Sequence, residues 1–197
     1  MLFIIAGFQG RVYKVEKKGT KKIETKRLIL RRFTEEDAKD MFTNWASDPE
    51  VTKFLTWPMH PDVDFTRNLL SEWITHYEDG AYFNWVMELK ENHEAIGNIS
   101  VVKLNERIEE AVIGYCMSRA YWGRELMPEA LKAVMDYLFD EVGVNRVAAC
   151  HDSNNPKSGR VMDKAGMKLE GTLRAAGINN QGISDKVWHA MIRSDRI

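Results

Sequence analysis

One stretch decides the fold: IGYCMSRAYWGRELMPEALKAVMDYLF, residues 113–139. It begins as an apolar strand-like run, turns at Gly123, and continues as an amphipathic helix predicted over about 128–141. Because a tight glycine and Arg124 lead directly into the helix, the turn resembles those whose backbone amides grip phosphate. Where a second glycine would help, the chain carries the carboxylate of Glu125.

The sequence on either side predicts an alternation of strands and helices. A strand over 26–33 precedes two helices, the first opening at Thr34 with Asp37 three residues later, as in a capping box. Three strands then follow without a helix between them, and the last of them leads into the quoted turn. A short strand, a short helix and two closing strands complete the order β-α-α-β-β-β-α-β-α-β-β. A mixed α/β sheet with helices packed on its faces is the economical architecture.

Composition narrows the class of protein. The 197 residues suit one domain, and a net charge of -1 argues against broad nucleic-acid binding. Cys116 and Cys150 lie in apolar runs, as expected of small buried residues in a reducing cytosol. Residues 1–22 are interpreted as an N-terminal extension or extra strand before a single domain over 23–197. The apolar segment at residues 1–8 is too short to span a bilayer, so no membrane association is predicted.

Four stretches in the right order carry a resemblance to a known family: residues 24–31, the run from Ile113 already quoted, residues 154–174 and residues 179–185. Together they resemble the GNAT superfamily of acyl-CoA-dependent N-acetyltransferases, especially its RimJ/RimL-like branch of ribosomal-protein N-terminal acetyltransferases. The likeness covers about residues 23–193. It implies a mainly antiparallel mixed sheet in which two strands splay to admit the pantetheine arm of acetyl-CoA.

The resemblance also implies a set of cofactor-binding residues. Backbone amides near Cys116 and Met117 would stabilise the oxyanion, and Asn155 and Ser158 would help to position the cofactor. The turn would bind the pyrophosphate through the residues Trp122, Gly123, Arg124, Glu125, Leu126 and Met127. The family's usual run is Arg or Gln, two variable residues, Gly, one variable residue, then Gly or Ala. Trp122, Glu125 and Met127 occupy the first, fourth and sixth positions of this run, and Glu125 at the fourth is the serious departure.

Glu125 decides whether the turn still binds an anion. A carboxylate about 4 Å from a phosphate repels it by roughly 1 kcal/mol in water and by about 4 kcal/mol at an effective dielectric near 20. A positive φ at a non-glycine residue would add about 1–2 kcal/mol. At a helix N-terminus φ is usually negative, however, and a glutamate is favourable in the first turn. The sequence therefore predicts a weakened site that still binds acyl-CoA.

Three residues are candidates for proton transfer. Ser158, in the N-P-x-S frame of RimL-like enzymes, is the candidate donor to the CoA thiolate; its alternative is an ordinary first-turn residue after the cap Asn155. Glu110 could act as the base, because Val112 replaces the glutamate that many relatives carry before IGY; its alternative is a solvated strand-end acid. His151 ends a strand near the splay and has a suitable intrinsic pKa, but a histidine at a strand end is more often a polar boundary residue. No metal-ligand spacing is present.

The predicted activity is acetyl transfer to a primary amine, by direct attack on the thioester in a ternary complex, in the cytoplasm. The amine could be a protein N-terminus or a small molecule such as an antibiotic or polyamine. A catalytically silent acyl-CoA-binding or interaction protein that keeps the fold is the alternative that Glu125 and Val112 favour. Segments near Trp57 and over 178–185 are expected to line two opposite walls of the acceptor pocket. By family resemblance a homodimer is possible.

Overall fold

One eight-stranded sheet organises the fold, and the computed structural model describes it within residues 15–196. The strands are β1 (Ile23–Glu24), β2 (Leu28–Arg31), β3 (Asn84–Leu89), β4 (Ala95–Asn105), β5 (Glu110–Met117), β6 (Arg146–Asp152), β7 (Lys168–Asn179) and β8 (Gly182–Ile192). The helices are α1 (Ala38–Met41), α2 (Pro49–Thr52), α3 (Val63–Thr75), α4 (Leu126–Tyr137) and α5 (Pro156–Lys164). Two helices continue as π turns, α1 over Phe42–Ala46 and α4 over Leu138–Val142.

The strand order is β1-β2-β3-β4-β5-β6-β8-β7. Neighbouring strands pair antiparallel except β5 and β6, which are parallel because α4 crosses between them. This is the predicted mixed, mainly antiparallel sheet. The single parallel pair in the described part of the chain lies at its centre, next to the turn that precedes α4.

Apolar side chains cover both faces of the sheet. On one face α4 buries Leu131, Val134 and Leu138 against a large core that also holds Trp85 and Ile113. The opposite face packs against α1 and α3 in a second core, with Met41, Trp45 and Leu70 at most 1% exposed. The predicted helices therefore lie on both faces, and the site is built where α4 and α5 reach the sheet.

Three local predictions differ in detail. The capping box is confirmed, since the Thr34 amide donates to Asp37 Oδ2 at 2.8 Å, but the first helix is a 3₁₀ turn, a short α-helix and a π turn in succession. The run SDPEV at residues 47–51 predicts only the end of the first helix, but it contains α2. The polar run at 175–184 predicts a loop, but it is mostly strand, because residues 177–179 of β7 pair with residues 182–184 of β8. A bulge interrupts the pairing before Gly177, where Ala175 has a φ of 49° and its amide donates to Asp185 Oδ1 at 2.8 Å.

Part of the predicted extension, residues 1–14, lies outside the described residues. Residues 15–22 pack against the domain as irregular chain rather than as a strand up to residue 22. Val15 is buried in the core, and Thr20 is 1% exposed, with its hydroxyl bonded to the Tyr82 carbonyl at 3.0 Å and to the Asn84 amide at 2.9 Å. The boundary at residue 23 stays a prediction.

None of the helices within residues 15–196 is long and apolar enough to cross a membrane. Over the same residues, no cluster of three or more His, Cys, Asp or Glu side chains is arranged to hold a metal ion.

Candidate active site

The strands β5 and β6 run side by side for only half of their length. They pair from Glu110 opposite Arg146 to Ile113 opposite Ala149, and not beyond. Past this point β5 remains paired with β4, and β6 remains paired with β8. A gap therefore opens inside the sheet between 114–117 and 150–152, with the unpaired backbone edge of each strand facing it.

Backbone amides of β5 point alternately away from this gap and into it. The Ser118 amide donates to the Ile96 carbonyl of β4 at 2.8 Å, so strand alternation directs the Cys116 amide to β4 as well. The Met117 amide then faces the gap. Of the two predicted oxyanion donors, the alternation therefore favours Met117.

The turn before α4 holds a row of free donors. The five consecutive amides of residues 123–127 have no hydrogen-bond acceptor within the described chain. They stand at the N-terminal end of a 12-residue helix, where the helix dipole also favours negative charge. Trp122, a predicted member of this set, is not part of it: its amide donates to the Arg119 carbonyl at 3.2 Å.

Backbone angles in this turn are left-handed at two positions. The turn residues with positive φ are Gly123 at 77° and Glu125 at 60°, two positions apart. The expectation of a negative φ at Glu125 is wrong: it is the left-handed N-cap residue of α4, a conformation that costs a non-glycine residue about 1–2 kcal/mol.

Arg27 fixes the carbonyl side of this turn. Its guanidinium donates to the Arg124 carbonyl at 2.8 Å and to the Glu125 carbonyl at 3.0 Å. Glu129 on α4 holds Arg27 in place through Nε at 2.7 Å and through the Arg27 amide at 2.8 Å. With the carbonyls of Arg124 and Glu125 occupied, the free groups of these two residues' backbone are their amides.

The side chain of Glu125 does not fold back onto the free amides. It makes no capping bond, and its Oε1 lies 2.5 Å from the ammonium of Lys164 at the end of α5. Both side chains are about half exposed. The prediction that the carboxylate leaves its amide free agrees with this geometry, although the carboxylate is paired rather than simply solvated.

Trp122 braces the turn instead of binding through its backbone. Its indole Nε1 donates to the Met117 carbonyl at 2.9 Å, which joins the turn to the end of β5. The ammonium of Lys157, in the first turn of α5, lies 5.2 Å from the centre of the indole ring. The indole therefore lies between the start of α5 and the turn before α4.

Ser158 meets a partner that sequence reasoning missed. The hydroxyl of Tyr115 lies 2.9 Å from both Ser158 Oγ and the Ser158 carbonyl. Burial raises the pKa of Tyr115, against a smaller opposing effect of its bond to Ser158, so the phenol stays protonated. If its proton is given to the carbonyl, the phenol oxygen can accept from Ser158, or Ser158 can turn its proton toward an acceptor in the gap.

Asn155 occupies the N-cap position of α5, but its side chain makes no capping bond. Its carbonyl accepts from the Ser158 amide at 3.1 Å instead. The amide side chain of Asn155 is half-buried and has no hydrogen-bond partner within residues 15–196. The predicted side-chain cap is therefore absent, and Asn155 contacts Ser158 through its backbone carbonyl.

His151 lies beneath α5. Its Nδ1 donates to the Asp152 carbonyl at 2.8 Å, and its Nε2 faces Gly159 so closely that a Cβ added there would lie 2.6 Å away. The ring is packed 5.5 Å from that of His189, which lies 3.2 Å from Asp163. Burial lowers the pKa of His189, against a smaller opposing effect of Asp163. This packing favours the interpretation of His151 as a boundary residue that seats the helix.

Glu110 lies at the wrong end of β5 for a base. Four residues separate it from Gly114, where the strands part, so it is about 13 Å from the gap. Its carboxylate accepts from Arg146 Nε at 2.8 Å, and the same guanidinium also bonds Glu170 through two contacts of 2.5 and 2.6 Å. The geometry therefore assigns Glu110 to an ion-pair network that closes the paired end of the strands.

The Cys116 side chain belongs to the face opposite α4. It packs with the second core, and burial raises the pKa of its thiol to about 12. Burial also raises the pKa of Cys150. Neither thiol is in a disulfide, and both are held in the protonated, unreactive form.

The two segments expected on opposite walls of the acceptor pocket are joined. Asn180, in the β7–β8 turn, donates its side-chain amide to the Thr52 and Trp57 carbonyls at 2.8 Å each, and its backbone amide to the Leu55 carbonyl at 3.2 Å. One segment follows α2, which packs with the π turn beside β5, and the other continues the strand paired with β6. The bridge therefore links the two sides of the gap on the face away from α4.

An internal gap between parallel strands, followed by a helix whose first amides are free, defines a cleft for a nucleotide-linked acyl carrier. The chain belongs to the GNAT acetyltransferases: the acetyltransferase (GNAT) domain matches residues 27–168. It is an N-acetyltransferase.

Similar sequences and structures include other acetyltransferases. The chain is 31% identical over 150 residues to an uncharacterized N-acetyltransferase, p20, of Bacillus licheniformis, covering 76% of this chain and 84% of that one. It is 27% identical over 140 residues to the ribosomal-protein-serine acetyltransferase of Escherichia coli, covering 70% and 76%. The fold is shared with the microcin C7 self-immunity acetyltransferase, solved with acetyl-CoA and AMP, at a TM-score of 0.75, 17% identity and coverage of 85% and 93%.

Proposed function

We propose that this chain transfers an acetyl group from acetyl-CoA to the terminal primary amine of a peptide chain, by direct attack in a ternary complex. The observation that carries the proposal is the row of five free amides at residues 123–127, placed beside the parting of β5 and β6. A diphosphate is the ligand whose charge and acceptor number suit such a row at a helix start. The gap between β5 and β6, beside this row of amides, is where the thioester arm of acetyl-CoA would enter.

The proposed reaction requires the protein to position the amine against the thioester and to provide one route for proton transfer. The amine nitrogen forms a bond to the thioester carbon as the carbon–sulfur bond breaks, and the amine proton must reach the departing thiolate. The Met117 amide, directed into the gap, is suited to stabilise the carbonyl oxygen as charge develops on it. Ser158 can donate its hydroxyl proton toward sulfur while it accepts one from the amine side, with Tyr115 holding its orientation.

A terminal amine fits better than a side chain on a flat protein surface. The bridge from Asn180 to the segment after α2 links both sides of the gap on the face away from α4. An acceptor that approaches beneath such a bridge must enter by its end. The similarity to a ribosomal-protein-serine acetyltransferase also supports a protein as the acceptor.

The first experiment is calorimetric titration of the protein with acetyl-CoA, and with CoA in parallel. We expect micromolar binding of both. Acetylation is then measured on short peptides that begin with serine or alanine, against matched peptides whose N-terminus is blocked and which carry an internal lysine. Absence of binding up to millimolar acetyl-CoA would contradict the proposal, and equal acetylation of both peptide sets would contradict its acceptor.

A further inference from the structure

Glu125, the second residue with positive φ in the turn, places a carboxylate near the site where the proposed function puts phosphate. Glu125 is the N-cap residue of α4, and its own amide is one of the five free donors. A carboxylate at a helix N-terminus is drawn to the same partial positive charge as a bound anion. An unpartnered Glu125 would therefore compete with the ligand and repel it.

The structure holds this carboxylate away from the amides. Its Oε1 lies 2.5 Å from Lys164 Nζ, and it bonds none of the amides of the turn. Lys164 is the last residue of α5, the helix that also carries Ser158. The ion pair thus connects the start of α4 to the end of α5.

The turn is consequently held from two directions. Arg27 binds the carbonyls of residues 124 and 125, and Lys164 binds the side chain of Glu125. The first contact orients the backbone, and the second compensates its charge. Lys157, the other α5 lysine near the turn, lies over the Trp122 ring, so it does not duplicate the contact with Glu125.

We infer that Lys164 is a positioning residue for the acyl donor: it pairs with Glu125, cancels its charge and keeps the amides of residues 123–127 open to phosphate. The inference rests on the proposed function. It implies that Lys164 is needed only because Glu125 replaces a glycine. Full affinity for acetyl-CoA is therefore expected when both side chains are present or when both are removed. Lys164 would act through Glu125 and not through direct contact with the ligand.

The test is a four-protein cycle comprising the wild type, Lys164→Ala, Glu125→Gly and the double variant, titrated with acetyl-CoA at low ionic strength. Loss of Lys164 should weaken binding roughly fivefold, the factor that corresponds to one uncompensated charge about 4 Å from phosphate in water. In the Glu125→Gly background the same loss should change affinity by less than about twofold. Lys164→Arg should bind as the wild type does, since it keeps the charge.

A truncated donor separates charge compensation from a structural role. S-acetylpantetheine lacks the pyrophosphate, so its KM should be the same for the wild type and Lys164→Ala. A matched control is Lys168→Ala, which removes an exposed lysine paired with Asp195 at the same 2.5 Å on β7. Its acetyl-CoA affinity should not change.

Three results would overturn the inference. Equal weakening by Lys164→Ala in both Glu125 backgrounds would show that Lys164 contacts the ligand directly. An equal rise in KM for S-acetylpantetheine would show that it acts on the fold. Unchanged acetyl-CoA affinity of Lys164→Ala would show that the ion pair has no effect. In all three cases the wild type still binds acetyl-CoA, whereas failure of the wild type and of Glu125→Gly to bind it would refute the proposed function itself.

Discussion

The two halves of the β5–β6 pair are built from the same strands and serve opposite purposes. The paired half, from Glu110 and Arg146 to Ile113 and Ala149, is closed by hydrogen bonds and finished by an ion-pair network with Glu170. The parted half leaves backbone donors unused and is lined by the helix starts that follow each strand. Stability is concentrated at one end of the pair, and unsatisfied binding capacity at the other.

This division explains why the charges differ between the halves. At the paired end the guanidinium of Arg146 pairs with the carboxylates of Glu110 and Glu170, so these charged groups have partners within the protein. At the parted end Lys164 satisfies only Glu125, and the amides of residues 123–127 remain free. Substitutions at the parted end should therefore change turnover or affinity, and substitutions at the paired end should change stability.

The largest effect is expected from Ser158→Ala. Removal of the proposed proton route should lower kcat roughly 100-fold, the lower range for general acid–base catalysis, while the Kd for acetyl-CoA changes less than about twofold. Steady-state kinetics with a peptide acceptor and calorimetry on the same preparation measure both. Ser153→Ala, in the exposed turn before α5, is the control.

An equal loss of kcat and of affinity in Ser158→Ala would instead make Ser158 a binding residue. Tyr115→Phe sharpens the result, because it removes the 2.9 Å partner of Ser158 but leaves the serine. It should lower kcat by roughly tenfold, about the value of one hydrogen bond to a polar group. A variant that retained full kcat would show that Ser158 needs no such partner.

The second effect concerns the seat of α5. Ala is a better helix former than Gly by about 1 kcal/mol, so Gly159→Ala alone would be expected to stabilise an isolated helix. Here the new Cβ would lie 2.6 Å from His151 Nε2, and overpacking of this kind costs about 1–3 kcal/mol. We expect a lower melting temperature and, because Ser158 is adjacent, a lower kcat.

The neighbouring exposed residue supplies the control for this change. Arg160→Ala lies on the same helix but outside the contact with β6, and should leave both quantities unchanged. The double variant Gly159→Ala with His151→Ala removes the clash and should recover stability. If Gly159→Ala were more stable than the wild type, His151 would not seat the helix.

Much of the fold was predictable from the sequence because it depends on local patterns. The order of strands and helices and the capping box at Thr34 and Asp37 follow from periodicity and from end signals. The hairpin between β7 and β8 was predicted too short, because its polar residues look like a loop. They become strand through the backbone pairing of residues 177–179 with residues 182–184.

The site was less predictable because its key contacts are between segments distant in sequence. Tyr115 and Ser158 are 43 residues apart, and Lys164 and Glu125 are 39 apart, so no spacing signals either pair. The φ of Glu125 also could not be inferred, since a first-turn glutamate usually has a negative value. The distance of Glu110 from the gap could not be inferred either, because it depends on where β5 and β6 part, four positions further along the strand.

A third, smaller effect belongs to the paired end. Arg146→Met keeps the aliphatic stem but leaves the largely buried Glu110 carboxylate without its partner, which should cost about 1–3 kcal/mol. Chemical denaturation measures this loss, and kcat should remain within about twofold. Addition of Glu110→Gln should restore part of the stability. A fall in kcat without loss of stability would show that the two ends of the strands are coupled.

The smallest effect is a pH dependence at the exposed member of the same network. The hydrogen bond from Arg146 lowers the pKa of Glu170 below its usual 4.5, with burial acting weakly in the other direction. A carboxyl group whose pKa is depressed on folding stabilises the protein above its unfolded pKa, and the contribution disappears as pH falls through the folded value. Because Glu170 is 42% exposed, solvent screening limits the gain to less than about 1 kcal/mol. The wild type should exceed Glu170→Gln in stability at pH 7, and the difference should disappear as the pH falls below 4.5 and through the folded pKa of Glu170. A difference that grew on acidification would contradict stabilisation by this charge.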